Sequence, residues 1–165
     1  MSVAKDGGGS WKFDGIDDFI DLGSNAITEL DNYSISMWID FSKVSGLQYF
    51  IGGTSNSNGS IRYNSVDKTL LFYIGGAASF VWIAPNGFVN FVMVRNSTSS
   101  CDIYIDGILK KTLTGFSGKG SIRYMGCRSD GYFFTGNIGQ TLVYNRALTS
   151  DEISTIYQAT KSKYI

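Results

Sequence analysis

Four aspartates near the start of the chain are the first residues whose type and spacing could do chemistry. Carboxylate oxygens are ligands that calcium prefers, so a cluster of them around Gly15 could bind that ion. Aspartate beside glycine also supplies the hydrogen bonds of tight turns. The turn role is the favoured interpretation, because a calcium ion takes about six to eight oxygens. The four residues are Asp14, Asp17, Asp18 and Asp21.

Aromatic and polar side chains that could bind a saccharide form a second group. A sugar presents an apolar C–H face and a ring of hydroxyl groups, so its site needs aromatic rings beside planar polar groups. Trp82 and Tyr132 adjoin turn residues and are expected to be exposed. For each ring the alternative is burial between sheets, the usual place of large apolar side chains. The predicted ligand-binding residues are Trp82, Asn86, Arg128, Asp130 and Tyr132. Similar side chains occur at Tyr49, Asn56, Asn58, Arg62, Tyr63 and Phe133.

The composition excludes several kinds of catalytic site. The chain has no histidine, which excludes the Ser-His-Asp and Cys-His arrangements and removes the usual ligands of zinc. Glu29 and Glu152 are the only glutamates, so a pair of catalytic glutamates is hard to assemble. Cys101 and Cys127 lack the spacing of a metal site and are predicted to be free, partly buried thiols.

The charge balance limits the partners. Fourteen lysines and arginines balance fourteen aspartates and glutamates, so no strong field attracts nucleic acid or an anionic membrane, and neither partner is expected. No apolar run is long enough to cross a bilayer, and the first ten residues do not resemble a signal peptide. A chain of 165 residues can form one domain, predicted to span residues 1–165, and no cofactor is expected to be required.

Turns and short strands dominate the pattern of the chain. It has 20 glycines and one proline, and aromatic or β-branched runs lie between clusters of glycine, asparagine and serine. This pattern is typical of an all-β protein, and so many strands must form two sheets. The predicted strands are Ser10–Phe13, Phe19–Asp21, Tyr33–Phe41, Gln48–Gly52, Ser60–Tyr63, Thr69–Ile74, Ala78–Trp82, Phe88–Asn96, Cys101–Ile105, Ile108–Leu113, Ile122–Met125 and Asn137–Tyr144.

Alternation is clearest in Tyr33–Phe41. It predicts that Met37 and Ile39 share the core face of this strand, while Trp38 lies on the other face. Asp106–Gly107 is a favoured two-residue turn and predicts a hairpin between the strands on either side of it.

Helical spacing is confined to the segment Thr149–Thr160. Thr149 and Glu152 form a capping box, which predicts a short C-terminal helix docked on the sheets. Residues 161–165 lack periodicity and are expected to form a frayed tail or a linker.

Five blocks of sequence, in the same order along the chain, resemble the laminin-G-like, concanavalin A-like jelly roll. The first block resembles the opening of the family's domain, and the third resembles a strand that usually begins with tryptophan and histidine. The fourth resembles the family's "lYvDG" hairpin, and the fifth resembles its closing strand and the helix that follows. The blocks are Phe13–Gly23, Tyr33–Ile39, Phe88–Val94, Ile103–Gly107 and Phe134–Ile153. The resemblance implies an all-β, two-sheet antiparallel jelly-roll sandwich.

The resemblance also implies a calcium site and, in some relatives, a catalytic site. Calcium-binding relatives add an aspartate from the closing strand, whereas this chain has Gly139–Gln140 there, so calcium is expected to bind weakly if at all. Laminarinase-type glycosidases of this fold carry Glu-x-Asp-x-x-Glu on one strand. Glu29 and Asp31 begin that pattern, but Ser34 stands in the third position, which disfavours hydrolysis by this mechanism.

The closing segment, Tyr144–Leu148 followed by the predicted helix, is similar to copies of this domain in virion proteins of tailed bacteriophages. The sequence therefore predicts a non-catalytic, lectin-like recognition module in a virion or surface protein. A structural module that binds another virion protein is the first alternative. A hydrolase or lyase with an unfamiliar site is the second.

Overall fold

A computed structural model describes residues 4–5, 9–23, 27–53, 58–128 and 131–165 of the chain. Within them, short strands joined by tight turns precede one helix, α1, at Ser150–Thr160, and a 3-10 turn at Lys161–Lys163. The strands are β1 Ala4–Lys5, β2 Trp11–Asp14, β3 Ile20–Asp21, β4 Ile27–Leu30, β5 Tyr33–Asp40, β6 Leu47–Gly52, β7 Asn58–Asn64, β8 Thr69–Ile74, β9 Ala77–Val81, β10 Phe88–Arg95, β11 Ser100–Ile105, β12 Ile108–Thr114, β13 Gly120–Ile122, β14 Tyr124–Met125 and β15 Thr135–Tyr144.

The strands form two main antiparallel sheets. A seven-stranded sheet has the order β1-β2-β15-β5-β10-β11-β12, and a six-stranded sheet has the order β3-β14-β6-β7-β8-β9. β13 and β4 form a small separate pair. The protein is therefore an all-β, two-sheet antiparallel jelly-roll sandwich with a short C-terminal helix, as the sequence predicts.

The main core lies between the two large sheets. Phe50 of β6 contacts the ring of Phe91 on β10 at 5.4 Å between centroids, which joins one sheet to the other. Met37 and Ile39 of β5 are fully buried in this core, which confirms the prediction for them. Alternating apolar residues on facing strands thus supply the surface whose removal from water stabilises the sandwich.

A second packing layer covers the outer face of the seven-stranded sheet. Trp38 of β5 points to this face, yet it is fully buried, because its ring stacks on Tyr157 at 5.9 Å and on Tyr164 at 4.7 Å. The indole N–H of Trp38 donates a hydrogen bond to Thr160 Oγ1 at 2.9 Å. The prediction of a single core face for Tyr33–Phe41 is therefore incomplete, since α1 and the residues after it bury the other face as well.

The local signals of turn and helix are confirmed. Ile105 pairs with Ile108 across the turn, where Asp106 and Gly107 have φ values of 53° and 77°. Such positive values are those that a two-residue hairpin turn requires. The capping box of Thr149 and Glu152 is present at the start of α1.

Residues 161–165 differ from the expected frayed tail. The hydroxyl of Tyr164 accepts a hydrogen bond from the backbone N–H of Gln140 at 2.7 Å, and its ring covers Trp38. Cys101 and Cys127 form no disulfide, as predicted, and both are buried. Burial raises the pKa of the Cys101 thiol. No helix within the described ranges has the length and apolar character needed to span a bilayer.

Candidate functional site

Three of the four predicted metal-binding aspartates lie together in the turn after β2. The carboxylate oxygens of Asp14, Asp17 and Asp18 lie within 4.8 Å of one another. The backbone N–H of Ile16 donates to Asp14 at 2.8 Å, and the backbone N–H of Asp14 donates to Asp18 at 3.2 Å. Two of these carboxylates therefore already perform the turn role that aspartate commonly has.

Asp21 does not join this group, which corrects the four-residue site. Its carboxylate accepts two hydrogen bonds from the guanidinium of Arg123, at 2.9 and 2.8 Å, and a third from the backbone N–H of Gly23 at 2.9 Å. The Arg123 bond, with that from Gly23, lowers the pKa of Asp21 from its ordinary value to about 2. An aspartate held in this way is committed to an ion pair.

The closing strand adds no carboxylate to the aspartate turn. A Cβ atom at Gly139 would lie 2.5 Å from the ring of Tyr164, so no larger side chain fits beneath that ring. Three carboxylates fall short of the six to eight or so oxygens that calcium takes, and the remainder would have to be backbone carbonyls or water. Calcium binding at Asp14, Asp17 and Asp18 stays a prediction, and a weak site is expected.

A row of alternating tyrosine and arginine side chains crosses the outer face of the six-stranded sheet. Arg62 Cζ lies 5.5 Å from the ring centroid of Tyr73 and 5.9 Å from that of Tyr49. On the other side of Tyr49, Arg128 Cζ lies 4.9 Å from its centroid and 4.4 Å from that of Tyr132. Arg128 also donates a hydrogen bond to the Tyr49 hydroxyl at 3.2 Å. We call these five residues the tyrosine–arginine row.

Strand register brings the first three members of the row together. Tyr49 of β6 is directly opposite Arg62 of β7. Tyr73 of β8 is opposite Ser60, which lies two residues before Arg62 in β7. Because side chains alternate along a strand, Tyr73 lies on the face opposite the buried Phe72. The three side chains therefore lie on the outside of the sheet.

Two backbone features bring the last two members over β6. A Cβ atom at Gly52 would lie 2.3 Å from the carbonyl oxygen of Cys127, so only glycine lets the segment before Arg128 lie this close to the strand. Tyr132 has a φ of 62°, in the left-handed region that few residues other than glycine adopt. This unfavourable conformation is of the kind that proteins retain mainly where the surroundings or a function require it.

Burial varies along the row. Tyr49 is 1% exposed although it lies outside the core, because Arg62, Arg128 and Tyr132 cover its ring. Tyr132 is 54% exposed, as the sequence predicts. Arg62, Tyr73 and Arg128 are half-buried. The row thus offers solvent both aromatic surface and guanidinium groups.

A pocket of about 190 Å³ adjoins the row at Arg128. Phe19, Tyr124 and Phe133 form its aromatic wall. The ring centroid of Phe19 lies 5.8 Å from that of Tyr124 and 6.5 Å from that of Phe133. Asp21 contributes the carboxylate that Arg123 holds. Aromatic walls with a few polar groups are the usual lining of a small-molecule site.

Two larger hollows lie elsewhere, one beside α1 and one between the edges of the two sheets, where Ile20 and Met125 of the six-stranded sheet contribute to the lining. One of about 330 Å³ lies between α1 and β15. Its charged residues are Arg146, Asp151 and Glu152, and Arg146 donates hydrogen bonds to Glu152 at 2.7 and 2.8 Å. The other, of about 490 Å³, is lined by the partly exposed Trp11 and by residues 139–143, with no charged residue in the described lining. Neither combines an aromatic platform with an arginine available to a ligand.

The structure brings together only part of the predicted saccharide site. Arg128 and Tyr132 contact each other, whereas Trp82, directly after β9, packs its ring on Phe41 at 5.4 Å and Tyr63 at 5.8 Å. Trp82 is therefore half-buried at the edge of the core, which is less exposed than expected, and its part in a ligand site stays a prediction. Asn86 is exposed in the loop that follows Trp82. Asp130, Asn56 and the side chain of Asn58 lie outside the described residues.

The main residue that sequence reasoning missed is Tyr73. The signal for it was present, since Thr69, Leu71 and Tyr73 alternate with the buried Leu70, Phe72 and Ile74 in β8.

Glu152 is the glutamate whose side chain the structure describes, and it pairs with an arginine. Glu152 caps α1, accepts the backbone N–H of Thr149 at 2.9 Å and binds Arg146. The side chain of Glu29 lies outside the described residues, and Asp31 is exposed beside β4.

Comparisons with known proteins identify solved structures of similar fold. A search of the curated proteins found no match. Similar solved structures include the botulinum neurotoxin serotype D binding domain, at 15% identity and a TM-score of 0.70, with 92% of this chain and 43% of that one covered. Another is the serotype D ligand binding domain in complex with N-acetylneuraminic acid, at 16% identity and a TM-score of 0.70, with 92% and 42% covered. The chain spans less than half the length of these structures, and at such identities the likeness concerns the fold.

A family model gives the more direct assignment. The model described as the concanavalin A-like lectin/glucanases superfamily matches residues 14–154, from the aspartate turn to the first turn of α1. The match includes both sheets and most of their strands. The chain therefore belongs to the concanavalin A-like lectin/glucanases superfamily.

Proposed function

We propose that the protein is a non-catalytic, lectin-like module that binds a saccharide at the tyrosine–arginine row. The observation that carries the proposal is the pair of stacked units, Arg62 between Tyr73 and Tyr49 and Arg128 between Tyr49 and Tyr132. Tyrosine rings offer a surface for the C–H face of a sugar, and guanidinium and hydroxyl groups can hydrogen-bond to its hydroxyls.

The ligands of the similar structures support the choice of ligand class. One of those proteins was crystallised with N-acetylneuraminic acid. Another is botulinum neurotoxin type C, whose cell entry depends on interaction with two ganglioside molecules and whose structure matches at 16% identity and a TM-score of 0.64. Both ligands carry saccharide groups. Since the fold alone is shared, the support concerns the class of ligand and not the position of the site.

A shallow surface site implies weak binding by one copy. We expect a dissociation constant between roughly a millimolar and tens of micromolar, or about 4 to 6 kcal/mol. Many copies on one particle would strengthen attachment by raising the effective concentration. The similarity of the closing segment to virion proteins of tailed phages supports such a setting, and a virion location remains part of this proposal.

A module that binds another protein is the second candidate. Val66, Val81 and Ile83 are 80%, 71% and 74% exposed; Val66 lies in the turn between β7 and β8, Val81 ends β9, and Ile83 follows β9. Exposed apolar side chains in one region are a common sign of a protein partner.

Calorimetric titration over a panel of saccharides tests the proposal. Tyr132→Ala is expected to weaken the binding of any saccharide that binds in the panel about two- to tenfold, which corresponds to the free energy of one aromatic contact. Tyr144→Ala is the matched control, since Tyr144 also lies beneath an arginine, at 6.0 Å, but on the other sheet. Chelation of calcium is expected to leave the affinity unchanged.

Three results would contradict the proposal. Equal losses in Tyr132→Ala and Tyr144→Ala would move the site away from the row. Release of reducing ends from a bound saccharide would make the protein an enzyme. Absence of binding across the panel would favour the protein partner.

A further inference from the structure

Arg62 differs from Arg95, Arg123 and Arg146 because it has no hydrogen-bond or ion-pair partner within the described residues. Arg123 binds Asp21 and Arg146 binds Glu152, each through two hydrogen bonds. Arg95 is buried and donates to two backbone carbonyls. Within the described part of the chain, Arg62 has no hydrogen bond or ion pair, and its guanidinium lies beside two tyrosine rings.

The strands around Arg62 carry no charge that could neutralise it. Within the described strands β6 to β9, Arg62 is the only charged residue. Its half-buried position beside two rings also lowers the local dielectric constant, which strengthens its attraction for an anion. The middle of this sheet therefore has a positive field although the net charge of the chain is zero.

The two rings leave the hydrogen-bonding edge of the guanidinium for a ligand. A guanidinium that stacks on aromatic faces uses its plane for those contacts and keeps a planar fork of N–H donors at its edge. That fork matches the oxygens of a carboxylate or a sulfate. Tyr73 and Tyr49, on either side, can accept the sugar ring to which such an anion is attached.

We infer that the tyrosine–arginine row selects acidic saccharides, with Arg62 as the residue that binds their carboxylate or sulfate group. This inference rests on the proposed function and adds the ligand class to it. It also gives a specific role to a residue on the sheet itself, whereas Arg128 and Tyr132 belong to the loop above it.

Matched pairs of saccharides test the inference, because the two members differ only in the acidic group. The carboxylate pairs are trigalacturonic acid and 3′-sialyllactose, each with its methyl ester, and the sulfate pair is 3′-sulfolactose with lactose. The protein is expected to bind an acidic member about tenfold or more tightly than its neutral partner, the usual size of one charge-assisted pair of hydrogen bonds. The preference should shrink as salt concentration rises.

Three variants assign the preference to one residue. Arg62→Gln should bind both members of a pair equally, and Arg62→Lys should keep part of the preference, since lysine retains the charge without the fork. Lys110→Gln removes one exposed positive charge from β12, on the other sheet, and should leave the preference unchanged. Thermal unfolding of each variant checks that the fold is intact.

The outcomes separate this inference from the proposed function. Equal binding of acidic and neutral members by the unmodified protein would overturn the inference and leave saccharide binding in place. A preference that survives in Arg62→Gln would overturn the assignment to Arg62. Absence of binding to every member would overturn both.

Discussion

Tyr49 is the residue on which the candidate site depends. Its ring is buried by arginine and tyrosine side chains that approach from two other segments of the chain, β7 and the loop between β14 and β15, and not by the core. Each stacked arginine gains roughly 0.5 to 2 kcal/mol from such a contact, depending on its exposure to water. The residues thus hold one another in place before a ligand arrives, which reduces the ordering that binding must cost.

Asp21 gives a pH prediction at the scale of a single residue. Its pKa is about 2 in the folded protein, below the ordinary value of 3.8, so the folded state holds the ionised form more strongly than the unfolded state does. The stabilisation by this pair is therefore present at neutral pH and is lost as the pH falls below about 4 towards 2. Because both side chains are exposed, we predict the direction of the effect alone.

Denaturant unfolding at about pH 6 and about pH 3 measures this loss. Asp21→Asn should lose less stability between the two values than the unmodified protein. Arg123→Gln should behave in the same way, since it removes the partner that lowers the pKa. Identical losses in all three proteins would show that the ion pair contributes nothing to acid sensitivity.

Strand β5 gives a prediction at the scale of the element. Ile39 fills the core between the sheets, while the neighbouring Trp38 fills the layer beneath α1 and Tyr164. Ile39→Ala should cost about 2 to 5 kcal/mol and Trp38→Ala about 3 to 5 kcal/mol of unfolding free energy. A strand with only one buried face would show a large cost for Ile39 alone.

Ile83→Ala serves as the control, because Ile83 is 74% exposed and its truncation should change stability by no more than about 0.5 kcal/mol. The free energies come from equilibrium unfolding in denaturant. A Trp38→Ala variant as stable as the Ile83→Ala variant would mean that the C-terminal layer is not packed in solution.

The elements differ in how far the sequence could predict them. The hairpin at Asp106–Gly107 and the cap at Thr149 depend on a few adjacent residues, so both can be predicted from the sequence. β4 was not predicted, because its pairing with β13 joins residues about ninety positions apart. The burial of Trp38 likewise depends on Tyr157 and Tyr164, which no local pattern connects to β5.

The candidate site was less predictable than the strands for the same reason. The sequence predicts Arg128 and Tyr132 as ligand-binding residues in a loop, and the two side chains do contact each other. Their partners come from β6, β7 and β8, and only the strand register sets Tyr49 beside Arg62. The burial of Trp82 was hard to predict because a ring at the end of a strand can point to either face, and a shift of one residue decides which.

At the scale of the molecule, the two sheets are covered differently. α1 and Tyr164 pack on the outer face of the seven-stranded sheet. The six-stranded sheet carries the tyrosine–arginine row on its own outer face. Under the proposed function, one outer face contributes to stability and the other binds the saccharide. Function in this superfamily resides in sites placed on a shared sandwich, so the row is the part of the molecule that the proposed function must explain.

The most direct test is to map the amide chemical shifts of the labelled protein while 3′-sialyllactose is added. The account predicts that the largest shifts occur at Tyr49, Arg62, Tyr73 and residues 131–133, that they follow one binding curve, and that Arg62→Gln weakens that curve. Largest shifts in the hollow beside Trp11, in the groove between α1 and β15, or at the aspartate turn would contradict it.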